Sequence, residues 1–261
     1  MTETSQNDLL LAKLEDKIKF CHTRNKITYT DFLTEPELLH VEKYLHLKKI
    51  GNYFLFGGYE NASRKMVFFY PSKLTCEQAF SNVNQVLKII RITLPNHTEE
   101  PFEHRTYLSA IMKLGIVREK FGDIVVYPEG ADIIVQKENS SYFQEHLQEL
   151  IRFRKASLTI LDISQIHEDC QRTEEISIIV NDTMRIDNFV SELCHCSRNK
   201  SEEILLQERV LLNYETVTRN AKTIKMGDIL TIRGLGKFTV KEISRKTRSG
   251  KNVVILEHPT S

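Results

Sequence analysis

The chain has no tryptophan, only ten glycines, and five cysteines (Cys21, Cys76, Cys170, Cys194, Cys196), an odd number without paired spacing. Such spacing excludes a disulfide framework and points to a reducing, cytoplasmic compartment. No stretch resembles a signal peptide and the longest apolar runs are strand-length, so no membrane association is expected. The sequence also lacks G-x-x-x-x-G-K-[ST], G-x-G-x-x-G, H-E-x-x-H and G-x-S-x-G. Phosphate cradles, zinc-protease helices and nucleophile elbows need those spacings. The expectation is a non-enzyme with no catalytic residue, no cofactor and no small-molecule substrate. Cys194-His195-Cys196 sets two thiols closer than the gap that zinc sites use. Even with His167 and Cys170 nearby in sequence, no metal is expected.

What is present suffices for a sizeable core. Hydrophobic residues make up 41% and charged residues 27% of 261 positions, ordinary values for a globular chain of two or three domains. The net charge of +1 conceals an asymmetry. Residues 182–261 hold 14 Lys/Arg against 10 Asp/Glu, whereas the preceding 181 hold 22 against 25. From Arg219 to Lys251 the imbalance sharpens to ten basic residues against two acids, Asp228 and Glu242. A basic face concentrated on one small module is the electrostatic footprint of a nucleic-acid binder.

The patterning divides the chain into three parts of an α+β protein. Residues 1–75 read as a mainly helical domain with a strand pair: a helix through about Ile27, a second entered at Thr34 with Pro36 in its first turn, and a strand ended by Pro71. Residues 76–180 alternate in a more informative way. Strands are expected over 85–94, 123–128, 131–137 and 157–163, and helices over 104–114 and 141–152. That β-α-β-β-α-β order is the split βαβ arrangement of ferredoxin-like and RNA-recognition-motif domains. Its strands carry mainly Val and Ile, with Tyr127 the one aromatic, so it is not expected to be a base-stacking platform. Residues 181–261 place Ile186, Phe189, Val190 and Leu193 on one helical face, then Ile204 and Leu205 on a second helix, then a small sheet.

In that third part, Arg185-Ile186-Asp187 opens one helix and Ser197-Arg198 the next. Val210 with Asn213, Lys225-Met226-Gly227-Asp228 and Arg233-Gly234 follow in order. These elements, about a quarter of the chain, resemble the S4-type (alpha-L) RNA-binding domain shared by a small-subunit ribosomal protein, many pseudouridine synthases and some tyrosyl-tRNA synthetases. Glu208 stands where that family usually has glycine; it fits if the turn keeps a negative φ, and its charge lies near the expected RNA face. Gly57-Gly58-Tyr59, Ala62-Ser63-Arg64-Lys65, His104-Arg105 and the run Leu114 to Ile124 extend the likeness to nearly the whole chain. The sequence is similar to the YlmH family of S4-domain proteins from Gram-positive bacteria, which often has an acidic residue at the place of Ser63. The resemblance implies a factor associated with ribosomes and translation quality control, with a link to cell division.

The expected RNA contacts are Arg185, Ser197, Arg198, Lys200, Lys222, Lys225, Arg233 and Lys237. Ser197-Arg198-Asn199-Lys200 begins a helix, where free N–H groups and the dipole favour phosphate; its bland reading is a solvated start capped by Ser197. Arg185 is a similar case, with pairing to Asp187 as its alternative. The lysines and Arg233 count as a cluster acting by counterion release. Lys241, Arg245, Lys246, Arg248 and Lys251 flank a Ser249-Gly250 hairpin tip that either clamps RNA or keeps an edge strand soluble. His104, Arg105, Arg118 and Lys120 read mainly as capping residues, with a second RNA or protein contact as the alternative. The partners expected are ribosomal RNA or tRNA on the large ribosomal subunit. The alternatives are a protein–protein adaptor for cell division and an RNA-modification enzyme with an unrecognised site.

Overall fold

The computed structural model describes residues 3–95, 102–167, 173–181, 183–247 and 250–259. By its internal contacts the chain divides into two compact units, Met1–Gln171 and Arg172–Thr260. The border expected at 75/76 lies inside the first unit.

The first unit begins with α1 (Glu3–Arg24), β1 (Thr28–Tyr29), α2 (Glu35–Leu47), β2 (Tyr53–Phe56), β3 (Met66–Phe69) and α3 (Cys76–Phe80). Thr34 is the N-cap of α2, and its N–H and hydroxyl both donate to the Glu37 carboxylate at 2.7 Å. Pro36 occupies the first turn, where no N–H is needed. Strands β1 and β2 flank β3 in an antiparallel sheet. Because side chains alternate along a strand, Val67 and Phe69 join Leu14, Val41 and Leu45 of the helices, while Met66 and Phe68 join Phe32, Ile89 and Ile134. The second of those clusters ties residues before 75 to the four-stranded sheet after it.

That sheet comprises β4 (Leu87–Thr93), β5 (Phe121–Tyr127), β6 (Gly130–Gln136) and β7 (Ser157–Asp162), with α4 (His104–Lys113) and α5 (Lys137–Glu149) as crossovers. Its order is β5-β6-β4-β7, antiparallel throughout, which is the split βαβ topology expected from the sequence. Ile90, Ile133 and Val135 face Tyr107, Ile111, Phe143 and Leu147 of the helices. Strand β6 is buried along its whole length, with Ile133, Ile134 and Val135 consecutive and the polar Asp132 and Gln136 buried on either side of them. Helix α5 starts four residues earlier than its apolar spacing indicates, directly after β6.

The second unit opens with β8 (Thr173–Val180), an element absent from the sequence reading, although Ile176, Ile178 and Val180 alternate. It is followed by α6 (Ile186–Leu193), α7 (Arg198–Leu206), β9 (Val210–Leu212), β10 (Glu215–Thr216), β11 (Ile229–Ile232), β12 (Gly236–Lys246) and β13 (Asn252–Pro259). The six strands run β10-β9-β11-β12-β13-β8, every neighbour antiparallel. Phe189, Val190 and Leu193 of α6 and Ile204 and Leu205 of α7 cover Val210, Leu230, Ile232, Val240 and Leu256 of the sheet. Asn213 and Tyr214, at φ 49° and 68°, form the two-residue turn between β9 and β10.

Candidate nucleic-acid interface

The centre of the second unit's polar face is a carboxylate. Asp187, in the first turn of α6, is 0% exposed. Arg185 grips it with Nε on Oδ1 and Nη2 on Oδ2, both at 3.0 Å. Arg198, which opens α7, adds its Nε to Oδ2 at 3.1 Å. Burial by itself would raise the Asp187 pKa; the two guanidiniums, Arg185 foremost, reverse that and hold it below the ordinary carboxylate range. The Arg185 guanidinium is raised in return, chiefly by its bonds to Asp187. One buried acid thus fixes two arginines at the starts of two helices. The side chains keep 28% and 59% of their surface exposed, and their remaining N–H groups can meet an anion.

Lys222 belongs to the same locus. Its carbonyl accepts the Ile186 N–H at 2.8 Å, and Arg185 bridges Thr223. Asn220 donates to Glu202, whose other near neighbour is Arg198 at 3.9 Å. Ser197 caps α7 through the Lys200 N–H at 3.4 Å, and the Lys200 ammonium pairs with Glu203 at 2.7 Å. The structure thereby gathers Arg185, Ser197, Arg198, Lys200 and Lys222 around two helix starts.

The remaining expected contacts sit elsewhere on the unit. Exposed Lys225 begins the turn Lys225–Asp228, closed by the Lys225 N–H on the Asp228 carboxylate and by Gly227 at φ 84°. A left-handed third position needs glycine. Arg233 is exposed and its carbonyl accepts Arg209 Nη2 at 2.8 Å, so Arg209, which was not among the expected contacts, stands beside it. Lys237 faces Thr231 across β11 and β12. Of the hairpin residues, Lys241 pairs with Glu175 and Glu257 at 2.7 and 3.2 Å, which accounts for its charge within the sheet. Arg248 and Ser249 lie outside the described residues.

Two turns depart from the sequence reading. Glu208 has φ 56°, not the negative value expected. It is the left-handed residue that closes α7: its N–H bonds Leu205 O, and the Arg209 N–H reaches back to Ile204 O. His195 at φ 48° closes α6 in the same manner, with the Cys196 N–H on Ser191 O. The three-residue thiol motif is therefore a helix terminus, and Cys194 and Cys196 pack against the core. Burial, then the neighbouring Cys196, pushes the Cys194 thiol up. Cys170 lies outside the described residues. Among the described residues no group of His, Cys, Asp and Glu could hold a metal ion, and no helix is long and apolar enough to cross a membrane.

Two helices on an antiparallel sheet with basic helix starts, in one chain with a split βαβ sheet, define an S4-domain protein. Residues 184–230 match the profile of the S4 domain, and residues 82–165 that of the putative RNA-binding domain in YlmH. By these matches the chain is similar to the YlmH family. It is 28% identical over 238 residues to the ribosome-associated protein quality control protein P2 of Bacillus subtilis, covering 89% of this chain and 87% of that one. A solved structure, the cell division protein ylmH from Streptococcus pneumoniae, aligns at 22% identity with a TM-score of 0.49 over 62% of this chain and 95% of that chain.

Proposed function

We propose that the protein is a non-enzymatic, cytoplasmic RNA-binding factor of translation quality control. In this reading it grips structured RNA, ribosomal RNA or tRNA on the large ribosomal subunit, through Arg185, Ser197, Arg198, Lys200, Lys222, Lys225, Arg233 and Lys237. Residues 181–261 hold the RNA, and residues 1–75 and 76–180 position that grip. The observation that carries the reading is the pair of guanidiniums held by buried Asp187 at two helix starts. Planar forks of fixed orientation suit phosphate oxygens, and contact with the backbone recognises RNA by shape. The ribosome-associated relative supports the same assignment. The action is occupancy: an RNA is held in place and no covalent bond changes.

The test is co-sedimentation with ribosomal subunits at low and moderate salt. Arg198 is exposed, but an acid there would face Asp187, so the variant is Arg198→Gln with Lys200→Gln. Wild type should travel with the large subunit and the variant should remain at the top. Equal sedimentation of a folded variant would overturn the assignment.

A further inference from the structure

We infer that the first unit carries a phosphate-binding site of its own, formed by the guanidiniums of Arg64 and Arg118, which takes the backbone of an RNA. This deepens the RNA-binding reading and rests on it.

The site is built where three segments converge. Asp123 of β5 accepts the Tyr59 hydroxyl at 2.8 Å, the Ser63 N–H at 2.6 Å and the Arg64 N–H at 3.1 Å, which fastens the loop between β2 and β3. Arg64 then reaches Phe32 O with Nη2 at 3.0 Å, and the Phe32 N–H bonds Glu119 O at 2.9 Å. Arg118 turns its Nη1 onto Phe121 O and Gly122 O, both at 2.8 Å, and its guanidinium lies 4.2 Å from the centre of the Phe121 ring. A Cβ on Gly122 would stand 2.7 Å from the Phe32 ring, so this close approach depends on glycine.

Both arginines are half-buried, and neither forms an ion pair among the described residues. Arg64 Nε is sealed from solvent with no acceptor at all. The acids near them are otherwise engaged or exposed: Asp123 serves two backbone N–H groups and a phenol, Glu37 serves Thr34, and Glu119 is exposed. Elsewhere in the unit cations meet carboxylates, as Arg91 meets Asp132 and Lys120 meets Asp31. Burial, and then Arg64, pushes Arg118 down to about 10, still charged at neutral pH. Stapling carbonyls needs only neutral donors. Two half-buried guanidiniums, each in the field of Asp123 and Glu119 but neither in a direct ion pair among the described residues, keep N–H groups for an arriving anion. Of the anions open to a chain with a matched RNA-binding profile over residues 82–165, a phosphodiester fits a pair of forks.

The experiment uses the full chain and a structured RNA, with affinity measured against KCl concentration. Arg118→Gln should weaken binding about threefold to tenfold and lower the slope of log K against log salt by about one. Arg118→Lys should restore the slope but not the full affinity. The loss should persist at the same ratio in an Arg198→Gln background, because the two sites share no residue. Wild-type affinity and slope in folded Arg118→Gln would overturn the proposal. Should that variant not fold, the side-chain N–H resonances of Arg64 and Arg118 in the wild-type chain decide: a short RNA must shift them, and unmoved signals overturn it. A shift with inorganic phosphate but not with RNA overturns the RNA assignment in favour of a free phosphate ligand. If the wild type binds no RNA, the proposed function fails with this RNA site, and the phosphate titration alone reports whether an anion site exists.

Discussion

Asp123 and Asp187 are one residue type put to two uses. Asp187 is buried and holds two guanidiniums, so Arg185 and Arg198 are fixed in direction while its single charge balances one of their two. Asp123 accepts a phenol and two backbone N–H groups, which leaves Arg64 and Arg118 resting on carbonyls, with Asp123 and Glu119 acting on them through space and not as direct ion-pair partners. The first arrangement presents donors oriented by a direct ion pair; the second presents guanidiniums held by neutral acceptors, with carboxylates acting only through space. An anion should therefore gain geometry at the first and a direct ion pair at the second.

The largest expected effect breaks the first arrangement at its exposed end. Arg198→Gln with Lys200→Gln should reduce affinity for structured RNA roughly 100-fold at moderate salt, about tenfold for each phosphate no longer held. Fluorescence anisotropy at two salt concentrations measures it, and the salt slope should fall by about two. A milder break leaves every cation in place. Asp187→Asn should lower affinity about tenfold with an unchanged slope, because orientation is lost and charge is kept. It should also destabilise the unit by about 2 kcal/mol in urea melts, since charged hydrogen bonds are lost from a buried group. An altered slope would show that Asp187 sets how many phosphates are engaged, not only how they are met.

These two sites were legible to different degrees. The spacing of Ile186, Phe189, Val190 and Leu193 announces α6, and Ser197 before Arg198 announces α7, so the helix starts could be placed and Arg185 and Arg198 named. The alternation in β4 to β7 was sufficient for the split βαβ order. What the sequence could not show is which acid is buried. Asp187 follows Arg185 by two positions and precedes Arg198 by eleven, a separation that only the packing of the two helices closes. Arg64 and Arg118 are 54 positions apart, and their segments are joined by the bonds of Phe32 to Glu119 and of the Arg64 N–H to Asp123, a convergence invisible to local periodicity. Strand β8 was missed because its partner, β13, lies at the other end of the unit. Glu208 was misjudged because glycine preference is a tendency, and a left-handed helix closure tolerates other residues at a modest penalty.

That closure gives a smaller and opposite effect. Glu208→Gly should stabilise the second unit by about 1 kcal/mol, because φ 56° is strained for a residue with a Cβ. Thermal melts check the sign. Removal of the carboxylate beside Arg209 should also tighten RNA binding, by less than about threefold, since exposed charge pairs are weak. A destabilised Glu208→Gly would mean that the glutamate side chain makes a contribution larger than its backbone strain.

The smallest effect is a pH dependence that isolates the Asp187 pairing from its packing. Because the folded carboxyl titrates below its unfolded value, near 3.9, the stabilisation is fully present above that value. It is lost as pH falls towards the folded pKa. The stability gap between wild type and Asp187→Asn should therefore be flat between about pH 7 and 5 and shrink below about pH 4. Urea melts along that series measure it. If the gap stays constant through the acid range, the two arginines are held by shape and neutral hydrogen bonds, and the contrast with the pair near Asp123, which has no direct ion pair among the described residues, loses its electrostatic basis.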